Sequence, residues 1–107
     1  MRACKVYVNG RFAGTLEELN RDHYTFSYDR GYLSLPDASP VSVNLPLTEE
    51  TYVSDSLFPF FCNMLSEGYN RNFQIKFHHL DPDDDFGLLL KTATYDTIGN
   101  VTVEEAV

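Results

Sequence analysis

Lys5-Val6-Tyr7-Val8-Asn9-Gly10-Arg11-Phe12-Ala13 is the stretch that decides the fold class. Two short runs flank Asn-Gly, the pair that most readily takes positive φ at both central positions of a type I′ turn, so the stretch predicts a β-hairpin. Val6 and Val8 fall on one face of the first strand and Lys5 and Tyr7 on the other, which makes it half-buried. The second strand is expected to continue to Leu16. His23-Tyr24-Thr25-Phe26-Ser27-Tyr28 is aromatic and hydroxyl-rich in the manner of a strand. Asp29-Arg30-Gly31 then supplies a turn before Tyr32-Leu33-Ser34-Leu35, giving a second predicted hairpin.

Residues 36–40 carry two prolines, a serine and an aspartate and read as a loop. Val41-Ser42-Val43-Asn44-Leu45 alternates and predicts a strand near a sheet edge, ended by Pro46. Beyond Thr48 the period changes. Leu57, Phe58, Phe60, Phe61, Met64 and Leu65 recur at three- and four-residue spacings, predicting an amphipathic helix over 56–67. Gly68 stands at its C-terminal cap, Ser54 or Asp55 at its start, and Pro59 in its first turn. A second short helix is expected over 71–79 and a third over 84–93, where Asp83, Asp84 and Asp85 suit the positive end of a helix macrodipole. The tail from Thr97 to Val103 alternates again and should rejoin the sheet, with Gly99 at a bulge or close approach. The fold class is α+β: a curved antiparallel sheet of five or six strands closed by two or three helices.

At 107 residues and 12.2 kDa the chain is expected to form a single domain, 1–107. Eight basic against sixteen acidic side chains leave a net charge of −8, which repels phosphate backbones and argues against direct nucleic-acid binding as the main activity. The imbalance is local. Residues 1–35 hold five basic and four acidic side chains, whereas 36–107 hold three and twelve. No run approaches the roughly 18 apolar residues of a membrane span, and residues 1–20 lack a basic-then-apolar leader pattern, so a cytoplasmic protein is expected. Cys4 and Cys62 match no metal or redox spacing and read as small apolar core residues in a reducing compartment.

Several chemical signatures are suggested and fail. Asp85-Phe86-Gly87 spells the magnesium-binding tripeptide of protein kinases, but the chain has no glycine-rich phosphate loop, strand lysine or catalytic loop, and is too short for that fold. Asp81, Asp83 and Asp85 alternate like a calcium loop, yet the sixth and twelfth positions are Phe86 and Thr92 instead of Gly and Glu. His78 and His79 are adjacent and diverge by about 100° on a helix, which suits neither zinc nor a catalytic pair; His23 stands alone. Cys62 lies among phenylalanines, an apolar setting that quiets a thiol. No metal or cofactor is expected. What stands out is aromatic: Phe58, Phe60 and Phe61 fall at about 0°, 200° and 300° around a helix, so one stripe cannot bury all three. Either two packed elements cover them or one ring faces a partner.

One ordered set of segments resembles the N-terminal subdomain of the HipA family of toxin kinases. It begins with Val6-Tyr7-Val8-Asn9-Gly10-Arg11, Ala13-Gly14 and Leu16, then Phe26-Ser27-Tyr28 and Gly31-Tyr32-Leu33. It continues through Leu45-Pro46-Leu47-Thr48, Leu57-Phe58-Pro59-Phe60-Phe61 with Asn63, Leu65, Glu67 and Gly68, then Asp84-Asp85-Phe86, and ends with Asp96 and Ile98-Gly99. The set departs from the family at Leu65-Ser66-Glu67-Gly68, where Leu-Pro-Glu-Gly is usual, and at Asp96-Thr97-Ile98-Gly99-Asn100, where the family has Asp-Cys-Ile-Gly-Ala. The resemblance implies a small, partly open, barrel-like sheet.

In that family the module precedes a kinase core, whereas this chain ends at Val107. A module standing alone is similar to the small HipS-like antitoxins, which bind a HipT-type kinase. The resemblance thus implies a non-catalytic antitoxin or regulatory subunit that inhibits a HipT- or HipA-like serine/threonine kinase, with a HipB-like helix-turn-helix protein as a further component. The alternatives it leaves are an assembly or activating subunit of a split HipA-like kinase, and an orphan protein-interaction module. The expected contact surface is the aromatic helix and its exit: Phe58, Phe60, Phe61, Met64, Leu65, Glu67, Gly68 and Tyr69.

Overall fold

A computed structural model describes residues 2–63, 65, 68–81, 84–92 and 101–106. Five strands form one antiparallel sheet: β1 (Arg2–Val8), β2 (Arg11–Asn20), β3 (His23–Tyr28), β4 (Tyr52–Ser54) and β5 (Val101–Ala106), in the order β4-β3-β2-β1-β5. The sheet does not close, so β4 and β5 are its edges. Asn9 and Gly10 both have positive φ, 54° and 79°, as the predicted turn requires. The register shifts between Val6 and Tyr7, so Tyr7 faces Phe12 while Val6 faces Gly14. β2 runs past Leu16 to Asn20 and pairs with β3 through the next hairpin.

Alternation sorts the strands into two faces. Cys4, Val6, Val8, Leu16, Tyr24, Phe26, Tyr28, Val101 and Val103 are buried on the inner face. The outer face carries Lys5, Tyr7, Thr15, Glu17, Thr25 and Ser27. Four helices follow: α1 (Arg30–Leu33), α2 (Pro59–Cys62), α3 (Gly68–His78) and α4 (Asp85–Thr92).

Three expectations are corrected. The second predicted hairpin is absent, because Asp29 caps a one-turn helix instead of opening a turn. Its Oδ2 accepts from the Tyr32 N–H at 3.1 Å, and its own N–H bonds the Ala13 carbonyl at 2.7 Å. Val41 to Leu45 is not a strand, since its backbone is held by a side chain. The Tyr28 hydroxyl donates to the Leu45 carbonyl and accepts from the Val41 N–H at 2.9 Å, leaving only a Ser42–Leu45 bridge. The edge strand is instead β4, paired to β3 through Tyr24–Ser54, Thr25–Val53 and Phe26–Tyr52.

The helix predicted over 56–67 is the third correction. Phe58 precedes Pro59, which disfavours helical backbone before it, and Phe58 is extended with ψ 137°. The helix therefore starts at Pro59, and α2 ends after one turn, capped by Asn63. Gly68, expected as a C-cap, opens α3, which begins three residues before the predicted 71. Among the described residues there are thus four helices, two of them single turns, where two or three were expected. α4 matches its predicted span within a residue. Gly99 and the start of the predicted last strand lie outside the described residues; β5 extends beyond Val103 to Ala106.

α4 is fixed to the sheet by one polar network at the domain's edge. Arg2 donates from Nε and Nη2 to Glu18 Oε1 at 2.9 and 2.6 Å, and from Nη1 and Nη2 to Asp84 Oδ2 and Oδ1 at 2.9 and 2.7 Å. Its guanidinium lies 5.3 Å from the centre of the Phe86 ring. The Tyr24 hydroxyl completes Glu18 at 3.0 Å, and Asp84 Oδ1 also accepts the Gly87 N–H of α4 at 3.0 Å. A Cβ at Gly87 would collide with the Asp84 carboxylate and crowd Arg2 Nη1 at 3.0 Å, so this position takes no side chain.

The Arg2 hydrogen bonds hold the Asp84 carboxyl below its ordinary range, against the opposing effect of burial. Asp84→Asn is expected to cost about 2 kcal/mol in urea unfolding at neutral pH. Because the folded value is depressed, that contribution is complete above the ordinary carboxylate range and is lost as pH falls through the folded value. The gap between wild type and variant should therefore narrow on acidification; a gap that does not vary with pH contradicts the assignment.

Candidate functional site

The residues with apparent catalytic character are occupied structurally. Asp85 begins α4 and pairs with Arg71 at 2.5 Å, Phe86 is fully buried, and Gly87 makes room for the Arg2–Asp84 contact. The kinase-like tripeptide is therefore a helix start docked on a sheet. Burial pushes the Cys4 thiol up to about 12, and burial likewise raises Cys62, whose Sγ–H points to the Leu57 carbonyl at 3.5 Å. Cys4 is fully buried and Cys62 half-buried, both unbridged. His79 is exposed, in left-handed backbone with φ 56°, just after the end of α3. Among the described residues no group of three potential ligands converges on a metal position, and no helix is long and apolar enough to cross a membrane.

The aromatic segment divides into core and surface. Phe61 is fully buried and its ring centre lies 5.8 Å from that of Phe26, 6.5 Å from Phe58 and 5.4 Å from Phe60. Leu57 and Phe58 are buried with it. Phe60 is half-buried and, with Asn44, Leu45, Phe58 and Pro59, lines a groove of about 280 Å³, open solvent included. The cavity itself is about 80 Å³, far below the about 300–1,000 Å³ of a pocket that encloses a drug-sized ligand, so the groove suits a side chain of a partner better than a substrate. Leu65 packs half-buried at the core's margin. Gly68 and Tyr69 are the first two residues of α3. Met64 and Glu67 lie outside the described residues.

Sequence reasoning missed a second aromatic feature. Phe73 and Phe77 of α3 are 59% and 67% exposed, with near-parallel rings 6.0 Å apart at 19°. On the same helix Arg71 and Ile75 are half-buried, and Phe73 stands about 200° from Arg71 at 100° per residue. The aromatic pair thus points away from the domain. The signal was present as phenylalanines at i and i+4 in an otherwise polar run, Asn70-Arg71-Asn72-Phe73-Gln74-Ile75-Lys76-Phe77.

An open, five-stranded antiparallel sheet with short helices on one face and an aromatic margin defines a small α+β fold. The chain belongs to the HipA N-terminal domain family, whose sequence pattern it matches over residues 4–104. It is similar in structure to the N-terminal domain of HipA toxin, with a TM-score of 0.71 and 27% identity, covering 100% of this chain and 94% of that one. It is also 30% identical over 105 residues to an uncharacterized protein of Haemophilus influenzae, covering 98% of this chain and 93% of that protein.

Core and surface aromatics should separate in mutagenesis. Phe61→Ala leaves a cavity among Phe26, Phe58 and Phe60 and is expected to cost about 3–5 kcal/mol in urea unfolding, against about 1 kcal/mol for Phe60→Ala at the rim. Equal losses at the two positions contradict this partition.

Proposed function

We propose that this protein is the non-catalytic regulatory partner of a HipT- or HipA-like serine/threonine kinase in a cytoplasmic toxin–antitoxin system, binding the kinase and inhibiting it. The observation that carries the reading is the match to the HipA N-terminal domain family through nearly the whole chain, which ties the module to toxin–antitoxin chemistry. Binding in trans would replace the contact that fused relatives make within one chain. The surface proposed for it runs from the groove at Phe60 through Met64, Leu65 and Glu67 to Gly68 and Tyr69. Phe58 and Phe61 support it from beneath. A HipB-like helix-turn-helix protein is proposed as a third component.

The acidic second half adds long-range attraction to a basic nucleotide or substrate groove, so association should weaken as salt rises. Aromatic anchors at such interfaces carry about 2 kcal/mol or more when fully buried.

Co-expression with a HipA-like kinase encoded beside this chain tests the reading. Restored growth together with a co-purifying complex is the expected result, and Tyr69→Ala should lower the affinity by about tenfold or more with the fold intact. A kinase that is active only when this chain is present would make it an assembly or activating subunit instead.

A further inference from the structure

α3 differs in charge from the rest of its half of the molecule. From Gly68 to Leu80 the sequence contains Arg71, Lys76, His78 and His79 and no Asp or Glu, whereas residues 36–107 together hold three basic and twelve acidic side chains. Two of those three basic residues are on this one helix. Arg71 is turned inward onto Asp85. Lys76 is exposed, and with Asn72 forms the row next to Phe73 and Phe77, so the outward face is a pair of stacked aromatic rings bordered by a cation.

We propose that the outward face of α3 is a second docking surface, distinct from the Phe60 groove, and that it takes a protein segment carrying acidic side chains beside apolar ones. The apolar residues of such a segment would cover the two rings, and its carboxylates would meet Lys76. Charge decides among the possible occupants. A second copy docked by the same face would oppose Lys76 to Lys76, like charge on like. Single-stranded nucleic acid, which also stacks on aromatic rings, meets a chain of net charge −8. A short acidic, apolar-patterned segment carries far fewer charges than a strand with a phosphate at every nucleotide, so it meets less of that repulsion, and its few carboxylates meet Lys76 in a stretch with no Asp or Glu; this inference does not depend on the kinase reading.

The test uses the full chain, isotopically labelled, titrated with a synthetic amphipathic peptide bearing leucines at helical i and i+4 spacing flanked by glutamates. The control is the same peptide with every glutamate replaced by lysine. Amide shifts are expected to centre on Phe73, Lys76 and Phe77, with the glutamate peptide bound more tightly than its lysine counterpart. The Phe73→Ala/Phe77→Ala double variant should lose at least about tenfold in affinity with its unfolding midpoint unchanged. Lys76→Glu, an exposed substitution, should reverse the preference between the two peptides. Equal binding of both peptides, shifts located elsewhere, or no binding would overturn the proposal. So would self-association that the double variant abolishes, or binding of oligo-dT at the same residues.

Discussion

The seating of α4 on the inner face depends on one guanidinium. Arg2 sits in the first strand, and its partners come from the neighbouring strand and from a turn 82 positions along the chain. Glu18 and Asp84 are both largely shielded from water, with 8% and 14% of their side chains exposed. Taking two carboxylates out of water is costly, and the cost is offset only when charge and hydrogen bonds are both complete. Here they are. Arg2 serves both acids with paired donors, Tyr24 supplies the remaining Glu18 oxygen, and the α4 backbone supplies Asp84. The network fixes α4 in one position, where Phe86, Leu89 and Leu90 join the core. A purely apolar contact between helix and sheet would tolerate sliding; this one does not, because each displacement would strand a buried charge.

A second constraint comes from tyrosine hydroxyls. Tyr28 holds the Val41 and Leu45 backbone, Tyr32 accepts from the Ser39 N–H and donates to its carbonyl, and Tyr52 donates to the Pro46 carbonyl. The rings of Tyr28 and Tyr32 stack at 6.3 Å. An irregular loop is thereby satisfied from the sheet and α1, without a strand ladder. The same loop brings Asn44 and Leu45 to the aromatic turn of α2 and forms one wall of the groove beside Phe60.

These two constraints explain what was legible in the sequence. The Asn9-Gly10 hairpin, β3 and α4 depend on local turn chemistry and periodicity, so reading residues in order was enough. The loop from Val41 to Leu45 alternates as a strand should, but whether it forms one depends on where a hydroxyl from Tyr28 reaches, which no local window contains. β4 was obscured because Tyr52-Val53-Ser54 is only three residues long and borrows its stability from β3. At α2 the period was real and the boundary wrong: Pro59 dictated the backbone of Phe58, and the apparent helix divided into a single turn and a separate α3. For the candidate site, spacing alone left each phenylalanine open to either role. Only the packing separates buried Phe61 from rim Phe60, and only the orientation of α3 turns Phe73 and Phe77 outward.

The start of α4 carries the two halves of this arrangement together. Asp84 and Asp85 are adjacent like charges at a helix N-terminus, where the backbone dipole favours both. Each is also answered by a different arginine. Asp84 turns to Arg2 and the sheet, while Asp85 turns to Arg71 and α3. Neighbouring residues at a helix start point in different directions, so the pair ties one helix end to two elements at once. The tripeptide that imitates a kinase magnesium site is thus consumed in architecture: its aspartate positions α3, its phenylalanine fills the core under Arg2, and its glycine lets Asp84 approach. The aromatic face of α3 is consequently referenced, through two consecutive carboxylates, to the strand that begins the domain. A surface helix with a weakly apolar inner side gains from that tether a defined orientation, which a docking face needs and its own packing supplies only in part.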